Sequence, residues 1–135
     1  WFSVETGYEV NTEIGFIESD SGIFGFSPDG AVIDGSVPGT VVGYLELKCP
    51  KPSTHVAWAL EGKIPGDHIG QVHFGMAITE APKAFFMSYC PGLEPLLIEV
   101  DADDYTEQMT RSMDKYAVEF KKAFKKITGY GYEEM

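Results

Sequence analysis

The reading of this chain turns on residues 27–48, which open with Ser27-Pro28-Asp29-Gly30 and close with Leu45-Glu46-Leu47-Lys48. A strand repeats every two residues, so Glu46 and Lys48 are expected to share one face while Leu45 and Leu47 point into a core on the other. Asp29, 17 positions before Glu46, sits at a tight turn from which an ordinary hairpin folds it back beside that pair. Asp, Glu and Lys together can bind a hard divalent cation through oxygen and hold an ammonium beside the water that the cation activates. That is nuclease chemistry in outline. Each piece alone says less. Ser-Pro-Asp-Gly is a turn sequence, with Pro fixing the second position and Gly tolerating the last. Glu-Leu-Lys is a common strand edge with solvated charges.

The 135 residues, 44% hydrophobic and 13% aromatic, suit one compact core and hence a single domain over 1–135. No apolar run approaches the roughly 18 residues of a membrane span, and no basic-then-apolar leader opens the chain. A start at Trp1 reads as a fragment or a processed piece. The net charge of −11 counts against sequence-independent affinity for phosphates, which rests on Lys and Arg. Cations held by site carboxylates would offset it locally. Cys49 and Cys90 are too few for a disulfide framework and lack metal-ligand spacing. They fit a reducing cytoplasm and are expected to be small core residues.

Outward from residues 27–48, the pattern predicts strands and few helices in front. Tyr8 to Ile17 alternates as a half-buried strand does, with Val10, Thr12, Ile14 and Phe16 on one side. Glu18 to Gly22 is dense in turn formers, so Ile23 to Phe26 returns as a second strand. Ala31 to Ile33 is a short strand closed by Asp34-Gly35, a favoured hairpin dipeptide, and Gly39 to Gly43 leads into Tyr44 to Lys48. Cys49-Pro50-Lys51-Pro52 stops that strand. Ser53 is expected to cap a helix through about Leu60, and Asp67 a second one that sends Ile69, Val72, Met76 and Ile78 to the core, with Gln71 at the edge of the stripe. Strands Ala84 to Tyr89 and Leu96 to Val100 flank a hairpin loop. In the last helix Tyr105, Met109, Met113, Tyr116, Phe120, Phe124 and Ile127 recur by fours and threes. Acids at its start and Lys121, Lys122, Lys125 and Lys126 at its end suit the helix dipole. Its stripe reads as core packing, with a subunit contact as the alternative. The sum is a mixed α/β sheet flanked by helices.

Taken in order, Gly25-Phe26-Ser27-Pro28-Asp29-Gly30, Leu45-Glu46-Leu47-Lys48-Cys49-Pro50, Gln71-Val72-His73 and the strand-loop-strand-helix tail resemble the phage lambda exonuclease family of YqaJ-like viral recombinases. The likeness runs from about Tyr8 to Ile127. It implies the restriction-endonuclease-like fold of the PD-(D/E)XK nucleases. Position by position, it makes Asp29 and Glu46 metal-binding carboxylates, the Leu47 carbonyl a further ligand, Lys48 the catalytic lysine and Gln71 the glutamine that closes the site. The implied cofactor is Mg²⁺, two ions about 4 Å apart, with Mn²⁺ as a substitute. The implied activity is a processive exonuclease that digests one strand of double-stranded DNA from its 5′ end, leaving a 3′ overhang for a single-strand annealing protein. A ring-shaped homotrimer and the cytoplasm of a phage's bacterial host complete that picture. The family also carries a helical section before the first strand, with another site glutamate and basic residues for the 5′ phosphate. The chain begins after most of it, Glu5 and Glu9 read as strand residues, and this stretch alone is expected to be incomplete as an enzyme.

Other signals are weaker. His55, His68 and His73 lack the partners and spacing of a zinc site, and Asp101-Ala102-Asp103-Asp104 suits a helix cap better than a calcium loop. Trp58, near Lys51 and Lys63, could stack on DNA but is expected to be buried. Two competing readings keep the fold: an endonuclease or junction resolvase with the same site, and a non-catalytic interaction domain.

Overall fold

The computed structural model describes residues 1–37 and 39–135. Along the chain come α1 (Phe2–Thr6), β1 (Glu9–Asn11), β2 (Ile17–Glu18), β3 (Gly25–Phe26), β4 (Gly30–Asp34) and β5 (Thr40–Lys48). After them come α2 (Pro52–Glu61), α3 (Gly66–Thr79), β6 (Lys83–Ser88), β7 (Leu96–Asp101) and α4 (Asp104–Thr128). Five strands make one mixed sheet in the order β1-β4-β5-β6-β7, and β2 and β3 pair separately. β5 and β6 are parallel, from Tyr44 opposite Ala84 to Lys48 opposite Ser88. A parallel pair needs a crossover of a dozen or more residues, and α2 and α3 supply it. The expected mixed sheet flanked by helices is what forms.

β5 lies at the centre because its side chains can be covered on both faces. On one, Val72, Met76 and Ile78 of α3 pack with Tyr44, Ala84 and Phe86. On the other, Phe2 of α1 packs with Val32, Leu45, Phe85 and Met87. Phe85 and Phe86, adjacent in β6 and so pointing to opposite faces, are both wholly buried. Each contributes about 2–3 kcal/mol of hydrophobic stabilisation.

The expected strand over Tyr8–Ile17 forms only as Glu9–Asn11. The Asn11 side chain accepts from the Glu13 N–H and Gly15 takes a left-handed φ of 70°, so the chain turns away from the sheet before resuming as β2. Glu5 lies on helix α1, not on a strand. Ser53 and Asp67 are not caps: Lys51 and Pro65 hold those positions, with Pro52 entering the first turn of α2. Ile69 and Leu47, expected in the core, are exposed at 43% and 40%. Leu47 follows Leu45 on the face that α1 covers, but past the reach of a five-residue helix. Cys90 is buried as expected, whereas Cys49 is exposed.

The α4 stripe is core only in part. Tyr105, Tyr116 and Ile127 are exposed. Along the second half of the helix the aromatic partners are Phe24, beside Tyr116, and Tyr132, which meets Phe120 and Phe124 edge-on. Its start is built as the acids suggest: the Asp103 carboxylate accepts from the Tyr105 and Thr106 N–H groups in a capping box. No helix among the described residues is long and apolar enough to cross a membrane.

Candidate active site

β5 turns Tyr44, Glu46 and Lys48 toward α3. Tyr44 and Glu46 are buried there, Glu46 at 5% exposure, while Lys48 at the end of the strand keeps 23% of its side chain in solvent. A carboxylate so buried needs partners, and it has two. The Lys48 ammonium lies 2.9 Å from Glu46 Oε1, and the Gln71 amide donates to the same oxygen at 3.2 Å. The Gln71 carbonyl oxygen accepts from Lys48 Nζ at 3.2 Å, so the three side chains close a triangle. Its second carboxylate oxygen makes no hydrogen bond with another side chain among the described residues.

Asp29 reaches the same place from the turn before β4. Its N–H donates to the Leu45 carbonyl, and its Oδ2 accepts from the Leu47 N–H at 2.7 Å. Carbonyl directions alternate along a strand. The Lys48 carbonyl accepts from Tyr89 beyond β6, and the Leu45 carbonyl accepts on the β4 side. The Leu47 carbonyl therefore points to the β4 side, where the ladder ends with Gly30 opposite Leu45. A carboxylate and a main-chain carbonyl thus flank one strand end, with Glu46 one residue away.

The Tyr44 hydroxyl is pushed well above its ordinary range, first by burial and then by the negative charges of Glu46 and Asp29. Both carboxylates are near enough to act on one buried phenol. Tyr44 was not among the residues that sequence reasoning singled out. The signal was available, because it stands two positions before Glu46 on the same face.

The structure therefore brings all five expected residues, Asp29, Glu46, Leu47, Lys48 and Gln71, to one end of β5. Among the described residues no group of three or more His, Cys, Asp or Glu side chains is arranged to hold a metal. The oxygen donors here are two carboxylates and a carbonyl, a hard set that suits Mg²⁺ better than zinc.

The histidines are engaged elsewhere. The His55 Nε2 faces the Glu94 carbonyl at 2.9 Å and so carries the proton, while Nδ1 meets the Ser88 hydroxyl at 2.7 Å. His73 pairs with Thr106 at 2.7 Å. Trp58 packs edge-on against His68 and Phe86 but is only partly buried, short of the burial expected.

A family model described as YqaJ-like viral recombinase domain matches residues 1–82. The crystal structure of LHK-Exo in complex with dAMP is 27% identical, with a TM-score of 0.69, over 94% of this chain and 68% of that one. A second structure, of the alkaline exonuclease LHK-Exo from Laribacter hongkongensis, is 26% identical with a TM-score of 0.66 over the same shares. No curated protein sequence matches.

Proposed function

Because the chain belongs to the YqaJ-like viral recombinase family, a family of exonuclease-type nucleases, we propose that it is a Mg²⁺-dependent exonuclease that degrades one strand of duplex DNA from the 5′ end. The product would be a 3′ overhang for recombination. The observation that carries the reading is the convergence of Asp29, Glu46, the Leu47 carbonyl, Lys48 and Gln71 at the end of β5.

The oxygen donors fit a hard cation, and Asp29, Glu46 and the Leu47 carbonyl would hold it. Bound Mg²⁺, or Mn²⁺ in its place, supplies neutralisation of phosphate charge and a water acidic enough to attack near neutral pH. The protein's own share is positional. Lys48, as an ammonium, can hold the attacking water by its lone pair and face the charge that gathers on the phosphate oxygens. Gln71 fixes that ammonium with its carbonyl oxygen and the Glu46 carboxylate with its NH₂. Water adds to phosphorus as the bond to the leaving 3′ oxygen breaks. The amide and the ammonium both bind Glu46 Oε1, which would leave the other carboxylate oxygen for the cation.

The same reading places three copies in a ring around the duplex, hands the overhang to a single-strand annealing protein, and sets the reaction in the cytoplasm of a phage's bacterial host. The likeness to LHK-Exo supports the nuclease chemistry, and the family supports the recombination role.

The test is digestion of 5′-labelled linear duplex beside closed circular duplex by the full-length protein. Linear DNA should be consumed from the 5′ end with MgCl₂ and not with EDTA, circles should survive, and Asp29→Ala should abolish digestion while leaving helical circular dichroism near wild type. Cutting of circles would make the domain an endonuclease. Full activity of Asp29→Ala at saturating Mg²⁺ would remove the assigned site.

A further inference from the structure

Tyr44 is 2% exposed, and its hydroxyl donates to the Val72 carbonyl on α3 at 2.8 Å. Inside a helix that carbonyl already accepts from the N–H four residues on, so Val72 does not need the second bond. The helix comes this close because position 75 is glycine. A Cβ on Gly75 would lie 2.5 Å from the Tyr44 hydroxyl oxygen, 2.6 Å from its Cζ and 2.7 Å from the Phe26 ring. A side chain fits there only if α3 or the Tyr44 and Phe26 rings move.

The consequence appears one helical turn away. Gly75 and Gln71 are four residues apart and lie on one line of α3, about 6 Å from each other. Tyr44 and Glu46 are two residues apart on one face of β5, about 6.6 Å from each other. With Gly75 seated on Tyr44, Gln71 falls over Glu46 and Lys48. Its two hydrogen bonds there, at 3.2 Å each, are at the long end of normal geometry. A small outward shift of the helix would break both.

We infer that Tyr44, seated in the space Gly75 leaves, is a positioning residue that sets the depth and register of α3 on β5 and so holds the Gln71 amide between Glu46 and Lys48. The inference rests on the exonuclease reading for its kinetic consequence, but not for its geometry. The hydroxyl suits the task because it is buried and its bond to the Val72 carbonyl ties strand and helix together directly.

The experiment uses the whole chain with Tyr44→Phe, Gln71→Ala, their double variant and Gly75→Ala. Digestion of linear duplex gives kcat and KM. Proton–nitrogen spectra of the metal-free protein follow the Gln71 side-chain amide, identified by its loss in Gln71→Ala. Tyr44→Phe keeps the ring and should lower kcat about tenfold with KM for DNA unchanged. It should shift the Gln71 amide resonances and have little further effect once Gln71 is Ala. Gly75→Ala, which presses on the same contact from the helix side, should give the same pattern and carries the test if the tyrosine variant is poorly folded.

Losses that add in the double variant, or a Gln71 amide that stays in place in both single variants, would overturn the inference. Failure of the exonuclease reading is a separate result. If Lys48→Ala digests DNA as fast as wild type, the site is not the catalyst, and the amide shift still decides whether Tyr44 places Gln71.

Discussion

Replacing Lys48 with Met keeps the stem and deletes the ammonium, which separates the stability of the site from its chemistry. In the wild type that ammonium stands 2.9 Å from a carboxylate that is 5% exposed. Removing one partner of a fully buried pair costs about 3–5 kcal/mol. Here 23% of the Lys48 side chain meets solvent, and the screening this allows brings the expectation down to about 2 kcal/mol. For a domain of this length that is a fall in Tm of about 8 °C. Without Lys48, Glu46 keeps only the Gln71 amide, and a divalent cation no longer competes with an internal one. Binding to the folded state alone adds RT ln(1 + [L]/Kd), so 10-millimolar-scale MgCl₂ should raise the Tm of Lys48→Met more than that of wild type. Digestion should be lost in the same variant. Thermal unfolding with EDTA and with MgCl₂, followed by circular dichroism, reads both quantities. A variant as stable as wild type in EDTA would remove the ion pair from the argument. A Mg²⁺ shift no larger than wild type's would mean that the cation does not meet Glu46.

Two further outcomes follow from the core and from the buried phenol. Phe86→Ala, at a position with no solvent exposure, should destabilise the fold by about 4 kcal/mol through lost burial and a residual cavity, measured as a lower urea midpoint at unchanged m. The Tyr44 hydroxyl is raised above its ordinary value of 10.0, so the folded state retains a proton there that the unfolded chain releases. That contribution is intact below about pH 10 and lost as pH rises further, by about 1.4 kcal/mol per unit. Alkaline unfolding curves of wild type and Tyr44→Phe should diverge above pH 10, and parallel curves would contradict the assignment.

The residues around the site were legible because β5 is a true central strand. Its two-residue period puts Tyr44, Glu46 and Lys48 on one face and Leu45 on the other: Tyr44 packs with α3, Leu45 with α1, and Glu46 meets Lys48 and Gln71. The expected two-residue hairpin at Asp34-Gly35 does not form, because Asp34 ends β4 opposite Thr40; its carboxylate instead accepts from Ser36, which holds its carboxyl below the ordinary range. What could not be read locally was decided by contacts distant in sequence. A five-residue helix is too short to be stable by propensity, and α1 exists because Phe2 meets Phe85 edge-on. Leu47 looked like a core residue only on the assumption that the cover over Leu45 extended further. The exposed part of the α4 stripe shows the same limit. Periodicity states that a face is apolar, and packing decides how much of it another element reaches.

The acidic composition, with a net charge of −11, looks at first like an objection to any nuclease. The distribution of charge changes the argument. Arg111, Lys115, Lys121, Lys122, Lys125 and Lys126, six of the ten basic residues, lie on α4, whereas Gln71, the one α3 side chain in the site, is neutral. At the end of β5 two carboxylates face one ammonium, a local excess of one negative charge before any phosphate arrives. Two divalent cations would turn that excess into three positive charges, the largest local field in the neighbourhood. On the exonuclease reading, then, the cations admit the phosphate as well as activate water. The overall acidity then becomes a source of dependence on metal.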